Sequence, residues 1–457
     1  MTSVALPSRP AGTSGLGVQR AAVLGIGTLA VLCGALGLAI DAVPLSVPKT
    51  IAGGLAAMGL LALALANYKW AVSLSFVLLG VQIVEPAPVD FAFVIVIGVA
   101  LVTGRMNPRQ VPLWVLMTMG ILIALNLLSA IEAVDVGRAA FFFGVTVYLC
   151  GLGIWTSAYV TTIDRSRTIF KCMTFVAAVS ALGGSLALFT YVPIFSDVGD
   201  RQRAIALFDD PNIYGPFLVS MSLLLLQELI DPRVLNWRRP TIGTVFAIVT
   251  IGAFLSYSRA AWLNWAVGIA VFMFVMPLRR GGTGRALVLS LVVLTGIGVT
   301  AFTVVATGQT EFLESRAKFQ TYDNERFGAQ ELGVELAETN PIGVGPGQFE
   351  RHSPVSAHST YIRAGAEQGL LGFLTVVALF CGTLIVAARN VILGRDTAGI
   401  GSLGLLAVWC GTLANSVFID TLHWRHLFVF AGLIWAGSLA APANSQASSR
   451  AGVRRPM

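Results

Sequence analysis

Long apolar runs recur along the whole chain, and they constrain its fold more than any other feature. A helix needs about 20 apolar residues to cross the roughly 30 Å hydrocarbon core of a bilayer, and backbone polar groups in lipid have to be satisfied within the helix itself. With 56% hydrophobic and only 12% charged residues, the chain has too much apolar surface to bury in a water-soluble core. The sequence therefore predicts an all-α polytopic membrane bundle of about 12–14 transmembrane helices.

Fourteen apolar runs support this prediction. They lie at residues 21–40, 50–67, 70–85, 90–104, 112–131, 139–161, 169–192, 212–230, 241–257, 260–277, 286–306, 360–388, 400–418 and 426–441. The third and fourth runs are the weakest, because both are short and Glu85-Pro86 stands between them. Losing these two together would leave the topology of the rest unchanged.

The distribution of Lys and Arg among the connecting segments predicts the orientation, because cytoplasmic loops are enriched in both residues. With a cytoplasmic N-terminus, the inner segments contain 19 basic and 4 acidic residues, a net charge of +15. The outer segments then contain 11 basic and 19 acidic residues, a net charge of −8, and the two sides add to the total of +7. The basic excess therefore reflects membrane topology and gives no reason to expect nucleic-acid binding.

These assignments divide the chain into five segments. They are a cytoplasmic N-terminus (1–20), a helical bundle (21–306), an extracytoplasmic, periplasmic-side loop (307–358), C-terminal transmembrane helices (359–441) and a disordered cytoplasmic tail (442–457). All four histidines and the long hydrophilic loop fall on the outer side. We therefore expect any chemistry to take place there.

The cysteines and histidines form no metal-binding pattern in the sequence. All five cysteines lie inside apolar runs and lack metal-ligand spacing. His423 and His426 are three residues apart, a spacing that could bind a metal, but we do not favour a metal site there. We therefore expect a reaction that is independent of metals and other cofactors.

The segment 197–215 places Arg201 and Arg203 ahead of an Asp-Asp-Pro-Asn turn at 209–212. Asp or Asn beside proline is common at turns and helix N-caps. Capping and functional roles therefore both stay open for Asp209 and Asn212, and Asp210 and Asn212 are candidate supporting residues of a site. The two arginines are not needed for a cap.

Arg259 stands between two apolar runs with almost no loop around it, in Ser-Tyr-Ser-Arg from Ser256. A lone arginine at a helix end can extend to the membrane surface without a partner. On the outer side the positive-inside bias disfavours it, and serine hydroxyls stand beside it. We therefore favour a polar partner for Arg259 and leave the simpler interpretation open.

The long loop alternates charged and apolar residues at helical spacing. Phe327, Leu332, Val334 and Leu336 predict the apolar face of one or two amphipathic helices that end at Asn340-Pro341. The following GVGPG at 343–347 predicts a tight turn, because no strand precedes it as a nucleotide-binding loop requires.

The loop leads into a membrane helix at His358, with Tyr361 on the same face and Arg363 and Glu367 further along. Glu367 is nine residues beyond the histidine, about 900° around a helix, and so lies on the opposite face. We expect Glu367 to pair with a neighbouring helix. Gly365 and Gly369 form a G-x-x-x-G pair, which favours close packing between helices.

A last polar segment, FIDTLHWRHLFVF at 418–430, precedes the final run and contains Arg425 and His426. Arginines and a histidine at the outer edge of an apolar bundle suit a ligand with an anionic head and an apolar tail. Arginine binds phosphate oxygens through two parallel donors, and such bonds are strong in a partly dry site. A polyprenyl diphosphate carrying a glycan fits this description.

His358 is a candidate general base, since a pKa near 6.5 allows an imidazole to take a proton from an acceptor hydroxyl at neutral pH. Arg203, Arg259 and Arg201 are candidates to bind the diphosphate and to stabilise the charge that develops as it leaves.

Five motifs occur in an order that resembles the O-antigen ligase and O-antigen polymerase superfamily, over roughly residues 200–390. They are R-x-x-x-x-F-x-D-P-N at 203–212, S-x-S-R-A-A at 256–261, Arg326 with Glu331-Leu332 downstream, N-P-I-G-V-G-P-G-Q-F at 340–349 and H-S-T-Y-I-R-A-G-A-E-Q-G-L-L-G at 358–372.

The resemblance implies glycan transfer from an undecaprenyl-type diphosphate to an acceptor at the outer face of the bacterial inner membrane. It implies functional roles for His358, Arg203 and Arg259. Two positions depart from the family pattern: Ala206 stands where a glycine is usual, and Ser359 where an asparagine is common. Both departures keep the reactive groups.

A transporter or flippase for lipid-linked saccharides is the main alternative, and a nonenzymatic scaffold is another. A translocation path requires polar groups through the full membrane depth, whereas the charges here gather at one side. Glycosyl transfer is therefore favoured. A ligase and a polymerase stay equally open, as do the acceptor, the sugar and the oligomeric state.

Overall fold

The computed structural model describes residues 47–83, 85–106, 109, 111–192, 195–196, 203–278 and 321–439, with isolated positions between 284 and 310. The predicted run at 21–40, Arg201 and the tail at 442–457 lie outside these residues, as does most of the run at 286–306. The described residues are mostly helical and contain no β-strand beyond two isolated bridges.

The described residues form fourteen α-helices. They are α1 (Val47–Ala66), α2 (Tyr68–Leu78), α3 (Pro88–Thr103), α4 (Leu113–Ser129), α5 (Val136–Tyr159), α6 (Ile163–Leu186), α7 (Pro211–Ile230), α8 (Arg239–Leu255), α9 (Arg259–Val275), α10 (Thr321–Thr339), α11 (Phe349–His352), α12 (Thr360–Ile392), α13 (Ser402–Asn415) and α14 (Arg425–Gly437). One 3₁₀ turn, Ala130–Glu132, follows α4.

Five helices are long and apolar enough to cross a membrane: α4 with its 3₁₀ extension, α5, α6, α7 and α12. Six further apolar helices are shorter. These findings confirm the predicted all-α polytopic membrane fold. Helix α2 has 11 residues and is about 16 Å long, so the weak run at 70–85 falls short of a full span.

Side-chain caps start several of the helices. Asp135, Thr162, Asp210 and Ser258 each accept a hydrogen bond from a backbone N–H in the first turn of the helix that follows. Such caps satisfy donors that no helical carbonyl can reach. The capping role predicted for the Asp-Asp-Pro-Asn turn is thus present at Asp210.

The helices bring the polar segments to one end of the bundle, which we call the loop-side end. Asp90 in the first turn of α3 bonds to Arg425 at the start of α14. The backbone N–H of Asp135, just before α5, bonds to Gln348 beside α11. Helices α3 and α5 therefore both begin at the loop-side end and terminate at the opposite end.

Helix α10 is the amphipathic helix predicted in the long loop, and it ends as expected before Asn340. Its buried apolar side chains Ala329 and Leu336 pack with Leu332 against a small cluster around Phe349. Phe327 and Val334 were predicted on this face, but about half of each side chain is exposed. Positions 329, 332 and 336 share a helical stripe, whereas 327 and 334 fall beside it.

Helix α12 is kinked at Gly369, where φ is +69°. The turn after α10 crosses the helix here, and Val344 and Gly345 donate backbone hydrogen bonds to Ala366 and Glu367. A Cβ at Gly369 would lie 2.0 Å from the Pro341 carbonyl oxygen. Gly369 therefore admits a crossing loop, whereas Gly365, the other glycine of G-x-x-x-G, faces Ala337 of α10, the helix contact that the motif predicts.

Candidate functional site

A cluster at the loop-side end joins the first two motifs predicted to act together. Asn212, in the first turn of α7, has a side-chain oxygen that accepts hydrogen bonds from Arg203 at 3.4 Å and from the Ser258 hydroxyl at 2.8 Å. Arg203 also donates from Nε to the Ser256 carbonyl at 2.9 Å. We call these groups the Arg203 cluster.

Local backbone structure holds this cluster in place. The Ala204 N–H donates to the Leu255 carbonyl at 3.0 Å, so the segment before α7 is tied to the end of α8. Ala206 and Tyr257 both have positive φ, +52° and +48°, a conformation uncommon outside glycine. Ala206 is the position where the resemblance expects a glycine, and its backbone conformation is one that glycine adopts without strain.

The two serines of the second motif act differently. The Ser256 hydroxyl donates to the Ala253 carbonyl and accepts from the Ser258 N–H at 3.3 Å, while the Ser256 backbone carbonyl accepts from Arg203. Ser258 supplies the hydroxyl and also caps α9. Arg259 is the first residue of α9, immediately after this serine, and is half-buried.

His358 lies just before α12, in the left-handed region with φ +45°. The Gln330 side chain of α10 donates to its carbonyl oxygen at 3.4 Å. The start of α12 is fixed by Thr360, whose N–H donates to Ser416 at 3.0 Å and whose hydroxyl accepts from the Thr421 N–H at 2.7 Å. The half-buried imidazole is therefore carried on a well-anchored backbone.

Burial lowers the pKa of His358 to about 4, and the positive charge of Arg326 adds to this effect. Asp210 and Asp420 partly oppose it. At neutral pH the imidazole is therefore uncharged, with a nitrogen lone pair that can accept a proton. The influence of Asp210 also places His358 within electrostatic reach of the start of α7, where Asn212 holds Arg203.

Arg363 lies at the centre of a buried ion-pair network beside this site. Its guanidinium contacts Glu350 and Glu367, each at 3.0 Å, and Asp420 at 3.2 Å. Glu350 also pairs with Arg138 of α5 at 3.0 Å. The network ties α5, α11 and α12 to the loop before α14.

The prediction that Glu367 pairs with a neighbouring helix is wrong. Glu367 pairs with Arg363 of its own helix, one turn earlier, and not with a neighbouring helix. Residues at i and i+4 lie on one face of a helix, so the four-residue spacing of Arg363 and Glu367 could by itself have predicted this pair.

Asp420 connects Arg363 to His423, whose Nδ1 lies 3.0 Å from the carboxylate. Burial tends to raise the pKa of Asp420, but His423 and Arg363 outweigh burial and the pKa lies below its usual range. Asp420 is therefore a carboxylate at neutral pH. It holds both the arginine and the imidazole in place.

Arg425 is engaged elsewhere, in a second buried network. It donates to both oxygens of Asp90 at 2.6 Å, to Glu85 at 2.8 Å and 3.1 Å, and to Gln82 at 3.1 Å. The backbone N–H of Gln82 in turn donates to the Leu207 carbonyl. This network fastens α14 and α3 to the segment that carries Arg203.

Two further residues predicted to support the site pack in apolar surroundings. His426 is buried against Phe217, Trp424 and Phe430. Tyr361 packs its ring against Phe380, and its hydroxyl reaches the Leu413 carbonyl at 3.5 Å. Both side chains contact the core of the bundle.

The sequence did not predict the ion pairs of Glu350 and Arg138 or the linking roles of Asp420 and Ser258. The excess of acidic residues on the outer side was a usable signal, since acids near buried arginines tend to pair with them. Asp135 and Gln348 are more than 200 residues apart in the chain, and no local pattern identifies that contact.

Residues 244–377 match the family model described as O-antigen ligase. The predicted resemblance to the O-antigen ligase and polymerase superfamily is confirmed over this segment. It includes Arg259, Arg326, His358 and Arg363, whereas Arg203 precedes it. No curated protein matches the chain. The O-antigen ligase match and the apolar helices together indicate a membrane protein that handles glycans.

Proposed function

We propose that this protein is a membrane glycosyltransferase. It moves a glycan from a polyprenyl diphosphate, of the undecaprenyl type, to an acceptor hydroxyl at the outer face of the bacterial cytoplasmic membrane. The observation that supports the proposal is that Asn212 joins Arg203 to Ser258, while Arg326 and Asp210, the cap of the helix that carries Asn212, influence the charge of His358, in a chain with an O-antigen ligase match.

The reaction requires three things that these residues can supply. The acceptor oxygen forms a bond to the anomeric carbon, the bond from that carbon to the diphosphate oxygen breaks, and the hydroxyl proton goes to the neutral imidazole of His358. A positioned base of this kind contributes about 10²-fold to 10⁴-fold.

The diphosphate leaves with additional negative charge, and arginine is suited to stabilise it through paired donors. We assign this role to Arg203 and Arg259, with Arg326 beside His358 and Arg201 as a further candidate. Asn212 and Ser258 position Arg203. The ion pairs of Arg363 with Glu350 and Asp420 then stabilise the backbone that carries His358.

The test is a transfer assay with purified protein in lipid nanodiscs, a polyprenyl diphosphate glycan and candidate acceptors. His358→Ala should lower turnover at least about 100-fold, and Arg203→Lys and Arg259→Lys should impair it because an ammonium cannot replace the paired donors. His352→Ala is the matched control, since His352 is exposed in the same loop region.

Unchanged turnover in His358→Ala would refute the role as base. Movement of intact donor across the membrane without any product would instead support a flippase. A longer glycan on the carrier identifies a polymerase, and glycan on a different molecule identifies a ligase. Activity that survives chelation supports the expected independence from metals.

A further inference from the structure

A cavity of about 220 Å³ opens at the end of the bundle opposite His358. It is lined by Tyr68, Lys69, Arg105, Tyr159, Asp164, Arg165 and Thr168. Helix α5 begins at the loop-side end and reaches this cavity at Tyr159 after 24 residues, about 36 Å. That length is slightly more than the thickness of a bilayer core, so the cavity lies at the other membrane face.

Aromatic rings and neutral oxygens place the two arginines of the cavity. The Arg105 guanidinium lies 5.2 Å from the Tyr68 ring centre, and that of Arg165 lies 4.6 Å from the Tyr159 ring centre. Arg165 also donates to the Tyr159 carbonyl at 2.9 Å. Cations over aromatic faces are held without losing their charge.

The rings themselves are fixed from behind by the core. Tyr68 donates to the Val96 carbonyl at 3.0 Å and accepts from the Trp155 indole N–H at 3.0 Å. Trp155 also stacks on Tyr159 at 5.1 Å. The cavity is therefore built on a rigid aromatic wall, and an anion that enters it meets donors that are already oriented.

The charge of the cavity is strongly positive. Three basic side chains line it, and among the described residues Lys69, Arg105 and Arg165 form no ion pair with a carboxylate. One acidic residue, Asp164, also lines the cavity; 78% of its side chain is exposed, and it pairs with Arg167 at 3.5 Å. This differs from Arg363 and Arg425, whose charges are compensated by buried acids.

From this geometry we infer that the cavity binds a phosphate group, held by Lys69, Arg105 and Arg165. Arginine forks and a lysine are the usual ligands of phosphate oxygens. Sites for drug-sized molecules occupy about 300–1,000 Å³, so this cavity suits a single headgroup or a free anion. The site is separate from the proposed donor site and does not depend on its function.

The position of the cavity favours the headgroup of an anionic phospholipid as the source of the phosphate. The cavity lies where α2 and α6 begin and α5 ends, at the level of lipid headgroups. Basic residues at that level bind anionic lipids at about 1 kcal/mol each. Free inorganic phosphate has the same chemistry and forms the second arm of the test.

The experiment measures the thermal unfolding temperature of delipidated protein in a neutral detergent, with added phosphatidylglycerol or inorganic phosphate. Phosphatidylglycerol should raise the unfolding temperature of the wild type in a saturable way. Lys69→Gln combined with Arg105→Gln should weaken the apparent affinity at least about tenfold, since two charge-assisted contacts are lost. Both side chains are exposed, so the fold should survive.

Arg238→Gln combined with Arg239→Gln is the matched control, because these exposed arginines at the start of α8 lie outside the cavity. Its lipid response should equal that of the wild type. A response to phosphate alone that the cavity variant loses would keep the site but assign it to the free anion. Equal lipid responses in the cavity variant, the control and the wild type would overturn the inference. The single variant Lys69→Gln controls for misfolding. Its unfolding temperature without lipid should equal that of the wild type, so that a weaker lipid response reports lost binding.

Discussion

Arg425 and Asp90 are 335 residues apart in the chain, and their side chains meet through two hydrogen bonds of 2.6 Å. Only 7% of the arginine side chain and 14% of the aspartate side chain are exposed. This pair fastens the final helix to α3. Arg425, predicted as a candidate supporting residue of the site, is engaged in this buried pair, and we expect it to act on stability.

Arg425→Met should therefore reduce stability by about 3–5 kcal/mol, because it leaves a buried carboxylate without its partner. Glu85 contributes less, since its side chain is 49% exposed. The measurement is denaturant unfolding of the protein in detergent. Combining Arg425→Met with Asp90→Asn should recover part of the loss.

Arg351→Ala is the matched control for this prediction. Arg351 pairs with Asp135 at 3.6 Å, but about half of each side chain is exposed. An exposed pair is worth about 0–1 kcal/mol. An equal loss of stability in Arg351→Ala and Arg425→Met would contradict the structural role.

Asn212 positions Arg203 in the proposed donor site, so Asn212→Ala should raise the KM for the donor about tenfold, the cost of a lost bond to a charged group. Asn212→Asp should impair donor binding more, because a carboxylate keeps the contact but offsets the positive charge of Arg203. Steady-state kinetics in nanodiscs measures both effects. Asp209→Asn is the control, since Asp209 is exposed and lies three residues earlier in the same turn, and it should behave as the wild type. A weaker effect for Asn212→Asp than for Asn212→Ala would argue against a diphosphate at Arg203.

The pH dependence of transfer should report His358. The unprotonated imidazole is the active form, so activity is lost as pH falls through its pKa. That pKa is about 4 in the free protein, and kcat/KM should therefore stay level from neutral pH down to about pH 5. A bound diphosphate offsets the charge of Arg326 and raises the pKa, so kcat should begin to fall at a higher pH than kcat/KM. Profiles of both parameters with a common midpoint near pH 6.5 would contradict this assignment.

Ala206→Gly should stabilise the protein by about 0.5–1 kcal/mol. Ala206 has φ +52°, and a side chain in the left-handed region costs about 1–2 kcal/mol, part of which the greater entropy of unfolded glycine offsets. Denaturant unfolding checks the sign. Ala204→Gly, two residues earlier and outside that region, should destabilise, and stabilisation by both substitutions would show that strain at residue 206 is not the cause.

The architecture was predictable because its physical cause acts along the chain. Lipid requires each spanning segment to satisfy its own backbone, so an apolar run is by itself a helix. Overlapping helices were found for the runs that fall in described residues. Local chemistry was predictable for the same reason, as with the cap at Asp210 and the end of α10 before Asn340.

The apolar face of α10 shows where prediction becomes weaker. Leu332 and Leu336 were assigned correctly, but Phe327 and Val334 are exposed. A short helix with scattered apolar residues has more than one stripe that could be buried. The surface around Phe349, Ala357 and Ala366 selects one of them, and that surface forms only when distant segments meet.

The sequence by itself determined the membrane helices, the gathering of polar residues in a few segments and the motifs that predicted His358, Arg203 and Arg259. Only the tertiary structure decided which groups the arginines meet: Arg363 and Arg425 contact buried carboxylates, and the contacts of Arg203 include the amide of Asn212 and a backbone carbonyl. The physical reason is range. Burial and helix formation depend on neighbours along the chain, whereas the state of a charge depends on groups that folding brings within about 4 Å from any part of it.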